Sequence, residues 1–275
     1  MAKTILVTGA TDGIGTTTAR VLAARGHHVV VHGRDAAKAA AVKASIEAAT
    51  GRTAPDVVVG DLASLDAVKR IADELNGRAH GLDVVVLNAG VFAKTPSLTA
   101  DGHELTNGVN HLAHFALTLR VLPTLMKSEQ GRVIVVSSMA HARGRLDLDA
   151  FNDKRIRAGW EPYAAYAESK LMNVLFALEL SRRLQQHGST VTANSLHPGV
   201  VSTKLLREGF GMNGPDSLDD GAATSVFLAD DPAVATTTGQ YFARSHVQQP
   251  AAAGRDLAAA ARLWEISARH AGVDF

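Results

Sequence analysis

The chain has 275 residues, with 28 Lys and Arg against 27 Asp and Glu and a formal net charge of +1. That near balance, with no long basic run, leaves no electrostatic footprint for nucleic acid. The absence of cysteine removes disulfides and thiolate nucleophiles. A hydrophobic content of 46% is enough for one substantial core, and no apolar run reaches the roughly 18 residues of a membrane span.

Met1 leads directly into an apolar run, so no leader or membrane anchor is expected and a cytoplasmic setting is. Thr4–Thr8 is short, apolar and β-branched and ends in a loop holding Gly9, Gly13 and Gly15; Thr16–Arg25 then has the composition of a helix. A strand, a glycine loop and a helix in that order let backbone N–H groups and a helix N-terminus meet a pyrophosphate. The spacing is G-x-x-x-G-x-G and not G-x-x-x-x-G-K-[ST], which disfavours a phosphate-transfer loop. Taken alone, the loop is equally a tight turn.

Further strand-length runs follow at His28–His32, Asp56–Val59, Val84–Asn88, Val133–Ser137, Val191–Leu196 and Gln240–Phe242. They are Val-rich on consecutive residues, as parallel strands covered on both faces are. Helical stretches at Asp35–Ala49, Leu65–Asn76, Asp101–Met126 and Ala164–Gln186 alternate with them. The pattern predicts a single-domain α/β fold, a Rossmann-type doubly wound sheet of seven parallel strands with helices on both faces, over residues 1–275. A nucleotide-binding half over about 1–130 precedes a catalytic and substrate half over about 131–275.

Within Ala164–Gln186, Leu171, Val174, Leu175 and Leu178 form one apolar stripe. Arg182 and Arg183 occupy its last turn and Gly188 stops it. Ala140–Pro162 and Val200–Asp219 read as long loops over the strand ends, and Ala251–Ala261 as the start of a C-terminal helix.

Tyr166 and Lys170 lie one turn apart on one helix face. A phenol with pKa about 10 is a poor acid–base group at neutral pH. A neighbouring ammonium lowers that value and readies the phenol to exchange a proton with an alcohol oxygen. Isolated pairs of this kind are common on helix surfaces, so the weight lies in what accompanies it. Twelve histidines raise the question of a metal, but His111 and His114 lack a carboxylate or cysteine cluster and no metal site is expected. No Gly-x-Ser-x-Gly elbow supports a serine hydrolase.

Gly9, Gly13 and Gly15, then Asp61-Leu62, Asn88-Ala89-Gly90, Asn110, Ser137-Ser138, Tyr166-x-x-x-Lys170 and His197-Pro198-Gly199 occur in that order. The whole chain thereby resembles the short-chain dehydrogenase/reductase family. Asn110-His111-Leu112-Ala113-His114-Phe115, Tyr166–Leu171, Gly221–Thr224 and Leu263–Ser267 narrow the likeness to the branch of retinol dehydrogenase-like and WW-domain oxidoreductase-like enzymes. The resemblance implies that Tyr166 exchanges the proton, Lys170 tunes it and holds the nicotinamide ribose, Ser138 bonds the substrate oxygen, and Asn110 anchors a water linked to Lys170. It assigns the cofactor to Gly9, Thr11, Asp12, Gly13, Ile14 and Gly15. Asp61, Leu62, Asn88, Ala89 and Gly90 would bracket the adenine and brace the strands, with Pro198, Gly199, Val201 and Thr203 beside the nicotinamide.

In NAD-preferring relatives a carboxylate ends the second strand. Here that end reads His32-Gly33-Arg34, with Asp35 as a helix cap, so Arg34 favours NADP(H) over NAD(H) despite the acidic Asp12. The activity implied is carbonyl–alcohol interconversion on a small molecule. Phe151, Trp160, Phe210 and Met212 are candidates for an apolar lining, while Trp264 and Phe275 read as packing residues. A catalytically silent dinucleotide-binding regulator is the alternative. The resemblance leaves a homodimer or homotetramer through Asp101–Met126 and Ala164–Gln186 open, and implies no membrane or nucleic-acid partner.

Overall fold

The computed structural model describes residues 2–51 and 55–275; Met1, on which the expectation of no leader rests, lies outside them. The first strand, β1 (Thr4–Val7), is buried along its whole length and feeds α1 (Gly13–Ala24) through the glycine loop. β2 (His28–Gly33), α2 (Ala36–Thr50), β3 (Asp56–Val59) and α3 (Leu65–Asn76) complete one half, and β4 (Val84–Leu87) opens the other. Asp35 and Ser64 cap α2 and α3 by accepting from the Lys38 and Ala67 amides.

The stretch expected as one helix from Asp101 begins later. A single turn, α4 (Leu105–Asn107), runs into a π-turn (Gly108–Leu112) and then α5 (Ala113–Leu125). After β5 (Arg132–Val136), the segment expected as an irregular loop contains a 3₁₀ turn (Met139–Arg143) and α6 (Leu148–Asn152). It ends at α7 (Pro162–Gln186), whose Pro162 sits where a missing N–H costs nothing. β6 (Thr192–His197), α8 (Leu218–Asp230), β7 (Tyr241–Ala243), β8 (His246–Gln248) and α9 (Leu257–Ala271) complete the chain, with a short π-turn at Leu205–Gly209 before α8.

The strand order is β3-β2-β1-β4-β5-β6-β7-β8, and every pairing is parallel except β7 with β8. The sheet therefore has eight strands and an antiparallel edge, where seven parallel strands are predicted. β8 escapes sequence reading because its three residues are all exposed. The two residues that turn into it, Arg244 and Ser245, take φ of 51° and 59° without the Gly or Asn that marks such turns.

Alternate residues of each strand feed two cores. Ile5, Val7, Val29, Val31, Val84 and Val86 face α1 and α8, whereas Leu6, Val30, Val85 and Leu87 face α3, α5 and α7. α7 is buried on nearly all sides between sheet and α9, and Leu178, placed by periodicity in the buried stripe, is only half-buried. The strand order reverses between β1 and β4, which opens a crevice beyond their C-terminal ends.

α9 lies across α5 and α7, the two helices that the resemblance offers as pairing surfaces. Trp264 meets the Phe115 ring edge-on at 4.9 Å and lies 4.5 Å beneath the Arg183 guanidinium. Ser267 bonds the buried His111 ring at 2.9 Å. Phe275 packs on Trp264, so both act as the packing residues expected. Replacing Trp264 with Ala should cost about 3–5 kcal/mol of stability, read from the denaturant midpoint of the purified protein.

Candidate active site

The glycine loop is shaped by close approach. Gly9 has φ of 63°, and a Cβ on it would stand 2.8 Å from the Ala89 Cα; a Cβ on Gly15 would collide with the Gly9 carbonyl. β1 and β4 can thus converge only if both positions are glycine. Thr8 locks the junction: its hydroxyl oxygen accepts from the amides of Asn88 at 2.9 Å and Ala89 at 3.0 Å. The Asn88 side chain donates to the Thr8 carbonyl at 2.8 Å. At the head of α1, Asp12 is exposed and its side chain makes no cap bond, so the first-turn amides of the helix are left without a side-chain cap from it. That cradle fits a pyrophosphate.

The other predicted cofactor residues line the same rim. A Cβ on Gly221 would meet Val201 at 2.7 Å and Ile14 at 3.1 Å, and one on Gly13 would meet Thr203 at 3.4 Å, so the segment after β6 lies over the loop. Gly199, with φ of 101°, turns that segment, and the Val200 amide donates to Asp216 at 2.6 Å. At the far end, the Asp61 carboxylate accepts from the Ala63 amide and Leu62 is buried. Arg34 is exposed and has no ion pair among the described residues. Thr11 packs so closely on Gly33 that a Cβ there would collide with its methyl.

Across the crevice, Ser138 starts the 3₁₀ turn after β5, its Oγ accepts from the Ala140 amide at 3.2 Å, and its hydroxyl is near enough to draw the Tyr166 pKa down. Ser137 points the other way and donates to the Lys170 carbonyl at 2.7 Å. Lys170 Nζ donates to the Val136 carbonyl at 3.1 Å and lies 5.6 Å from the Tyr166 ring centre. Asn110, on the π-turn, accepts from the Val91 amide at 2.7 Å and donates to the Val91 carbonyl and to Ser169 Oγ, both at 3.0 Å. A Cβ on Gly90 would stand 3.4 Å from Asn110 Oδ1 and 3.6 Å from Lys170 Nζ, which places residue 90 against both side chains.

The pKa of Tyr166 corrects the expectation from sequence. Burial pushes the phenol up to about 12, against the opposing pull of the Ser138 hydrogen bond. The same burial lowers Lys170 to about 8. Desolvation is the leading cause on both groups, and the pair sits as a neutral phenol beside a weakly held proton.

A family model described as short chain dehydrogenase matches residues 3–151. Retinol dehydrogenase 13 of Homo sapiens is 38% identical over 287 residues, covering 99% of this chain and 85% of that protein. The chain belongs to the short-chain dehydrogenase family. An uncharacterised protein from Mycobacterium paratuberculosis superimposes with a TM-score of 0.82 at 34% identity, covering 99% of this chain and 94% of that one. A short-chain dehydrogenase from Escherichia coli CFT073 complexed with NADPH gives 0.72 at 27%, covering 89% and 97%.

Around the phenol of this short-chain dehydrogenase, Phe210 lies 5.3 Å and Phe92 5.7 Å from the Tyr166 ring, and Tyr163 lies 6.0 Å from Phe210. Phe92 is an apolar wall that the sequence reading misses, because it follows the strand with no periodic pattern around it. Phe151, expected in the lining, belongs to the main core and stacks on His103 and His111. Met212 is exposed. Trp160 faces a separate small cavity of about 20 Å³ beside Glu168. Glu168 anchors the loop before α7, accepting from the Asp147 amide at 2.6 Å and Asn107 at 3.1 Å and pairing with Arg157 at 3.4 Å.

Histidines form the hidden frame. His32 accepts from the Gly9 amide at 3.2 Å and reaches the Gly60 carbonyl at 3.1 Å, tying the glycine loop to β3. His141 bonds the Ser138 carbonyl at 2.7 Å and accepts from the Ala251 amide at 3.1 Å. No group of His, Cys, Asp and Glu among the described residues is arranged to hold a metal ion.

Burial lowers His32 to about 4 and His111 and His114 to about 3. Each is neutral when folded and takes a proton on unfolding below its ordinary pKa, so stability is full above about pH 6.5 and falls as pH drops. The three together should lower stability by about 4 kcal/mol per pH unit between roughly pH 6 and 4. Thermal melts across pH 4–8 should be flat above about pH 7 and fall steeply below 6.

Proposed function

We propose that this chain interconverts an apolar ketone or aldehyde and its alcohol with NADP(H), using Tyr166 as the acid–base group. The observation that carries the reading is the convergence of three groups: the Ser138 hydroxyl acting on the Tyr166 phenol, and Lys170 one helical turn away with its Nζ 5.6 Å from the phenol ring centre. A bound nicotinamide dinucleotide supplies or accepts the hydride. The residues that would hold it are Gly9, Thr11, Asp12, Gly13, Ile14, Gly15, Arg34, Asp61, Leu62, Asn88, Ala89, Gly90, Tyr166, Lys170, Pro198, Gly199, Val201 and Thr203.

Tyr166 enters the reductive direction already carrying its proton and gives it to the carbonyl oxygen as negative charge develops there. Ser138 donates to the same oxygen, aimed at the place where charge appears. Lys170 contributes positive charge beside the phenol, and Asn110 keeps the neighbouring Val91 backbone and Ser169 in place. Alcohol oxidation runs the same transfer in reverse and starts from the phenolate.

Arg34 supports NADP(H) over NAD(H): its guanidinium, without an ion pair among the described residues, can meet a 2′-phosphate, and Gly33 carries no carboxylate to reject one. The NADPH-bound Escherichia coli neighbour supports the same choice. Phe92, Phe210 and Tyr163 around the phenol, and the likeness to a retinol dehydrogenase, support an apolar substrate. We place the protein in the cytoplasm; among the described residues, no helix is long and apolar enough to cross a membrane.

The test is NADPH consumption across a panel of apolar aldehydes and ketones. Tyr166→Phe should lower kcat by about 10²–10⁴-fold while NADPH binding, followed by fluorescence, stays within about twofold. Unchanged turnover would remove Tyr166 from the chemistry. Intact binding with no turnover in the unmodified protein would instead leave the silent regulator. Arg34→Ala should raise the KM for NADPH by about tenfold or more and leave that for NADH unchanged.

A further inference from the structure

His114 lies on α5, wholly buried, with no assigned part in the chemistry. Its Nδ1 is 3.1 Å from the Asn110 carbonyl and its Nε2 is 2.9 Å from Thr8 Oγ1. A carbonyl only accepts, so Nδ1 bears the proton and Nε2 accepts from the Thr8 hydroxyl. Burial first, and then the charges of Lys170 and His32, oppose a second proton on the ring.

The two partners belong to different halves of the site. Thr8 closes β1 onto β4 through the Asn88 and Ala89 amides. Asn110 sits on the π-turn, where the Ala113 amide reaches back five residues to Gly108, and its side chain donates to Ser169 Oγ. Ser169 in turn donates to the Tyr166 carbonyl at 2.7 Å. A π-turn shifts the carbonyls out of the regular ladder and is held only where something else fixes it. The His114 ring does so here, from the side of the glycine loop.

We infer that His114 is a positioning residue, a strut that carries the alignment of the glycine-loop strand to Asn110 and through Ser169 to the catalytic helix. The inference rests on the oxidoreductase reading for its effect on turnover, but its geometry can be tested without it.

His114→Phe keeps a ring of similar size and removes both bonds; His114→Asn restores a donor to the Asn110 carbonyl. With Thr8 still holding Asn88 and Ala89, His114→Phe should lower kcat about tenfold or more while the Kd for NADPH and the KM for the carbonyl change less than about threefold. His114→Asn keeps a donor to the Asn110 carbonyl and breaks only the link to Thr8, so it should lose kcat as His114→Phe does, to within about threefold. Kcat within about twofold of the unmodified protein in either variant overturns the strut. If His114→Phe does not fold, His114→Asn decides alone on the same criterion.

Imidazole ¹⁵N shifts of the unmodified protein should show the Nδ1–H tautomer throughout pH 5–8, an order-of-magnitude window of roughly two units above the folded pKa. An Nε2–H tautomer or a charged ring overturns the strut whatever the turnover. Absence of turnover in the unmodified protein defeats the oxidoreductase reading, while the tautomer still judges the geometry.

Discussion

One hydroxyl does the joining on which the crevice depends. Thr8 ends β1 at the point where the strand order reverses, and its oxygen takes the amides of Asn88 and Ala89 from the end of β4. One side chain thus takes up two backbone donors at a strand end, the Asn88 amide sharing its proton with the Val86 carbonyl at 3.0 Å. The glycines then let the chains approach closely enough for those bonds to form. Ligand-binding crevices in doubly wound sheets lie at such reversals because neighbouring connections leave the sheet on opposite faces there.

Much of this was legible from residues alone, for a physical reason. The strands are buried on both sides, so they read as continuous Val-rich runs, and the glycine loop and the Tyr166–Lys170 pair carry their spacing in the chain itself. The parts that were not legible depend on distant partners. β8 is three exposed residues paired only with β7. The π-turn at Gly108–Leu112 sits in a stretch of ordinary helix formers, and it is held through His114 by a threonine 106 residues away in sequence. Phe151 has the composition of a pocket residue, but α6 directs it into the core against His111.

The electrostatics show a similar divide between local and global causes. Side-chain spacing alone puts an ammonium one turn from a phenol, and simple charge attraction then lowers the phenol pKa. The surrounding packing reverses the sign, because Phe92 and Phe210 close around Tyr166 and water is excluded from both groups. The same exclusion makes the three histidine-centred links around His32, His114 and His141 run on uncharged rings, each offering one donor and one acceptor. In such a setting imidazole serves as a rigid connector and not as a titrating switch.

The position of α9 also sets an order of events during synthesis. Phe115 and Phe176 on the earlier helices gain their covering Trp264 only after nearly the whole described chain has been made. Until then a nascent chain carries a finished glycine loop beside an open apolar face, the kind of surface that recruits chaperones or seeds aggregation. Docking of α9 is therefore late relative to the rest of the described fold, and chains cut short before Leu257 would be marked for removal by that same uncovered face.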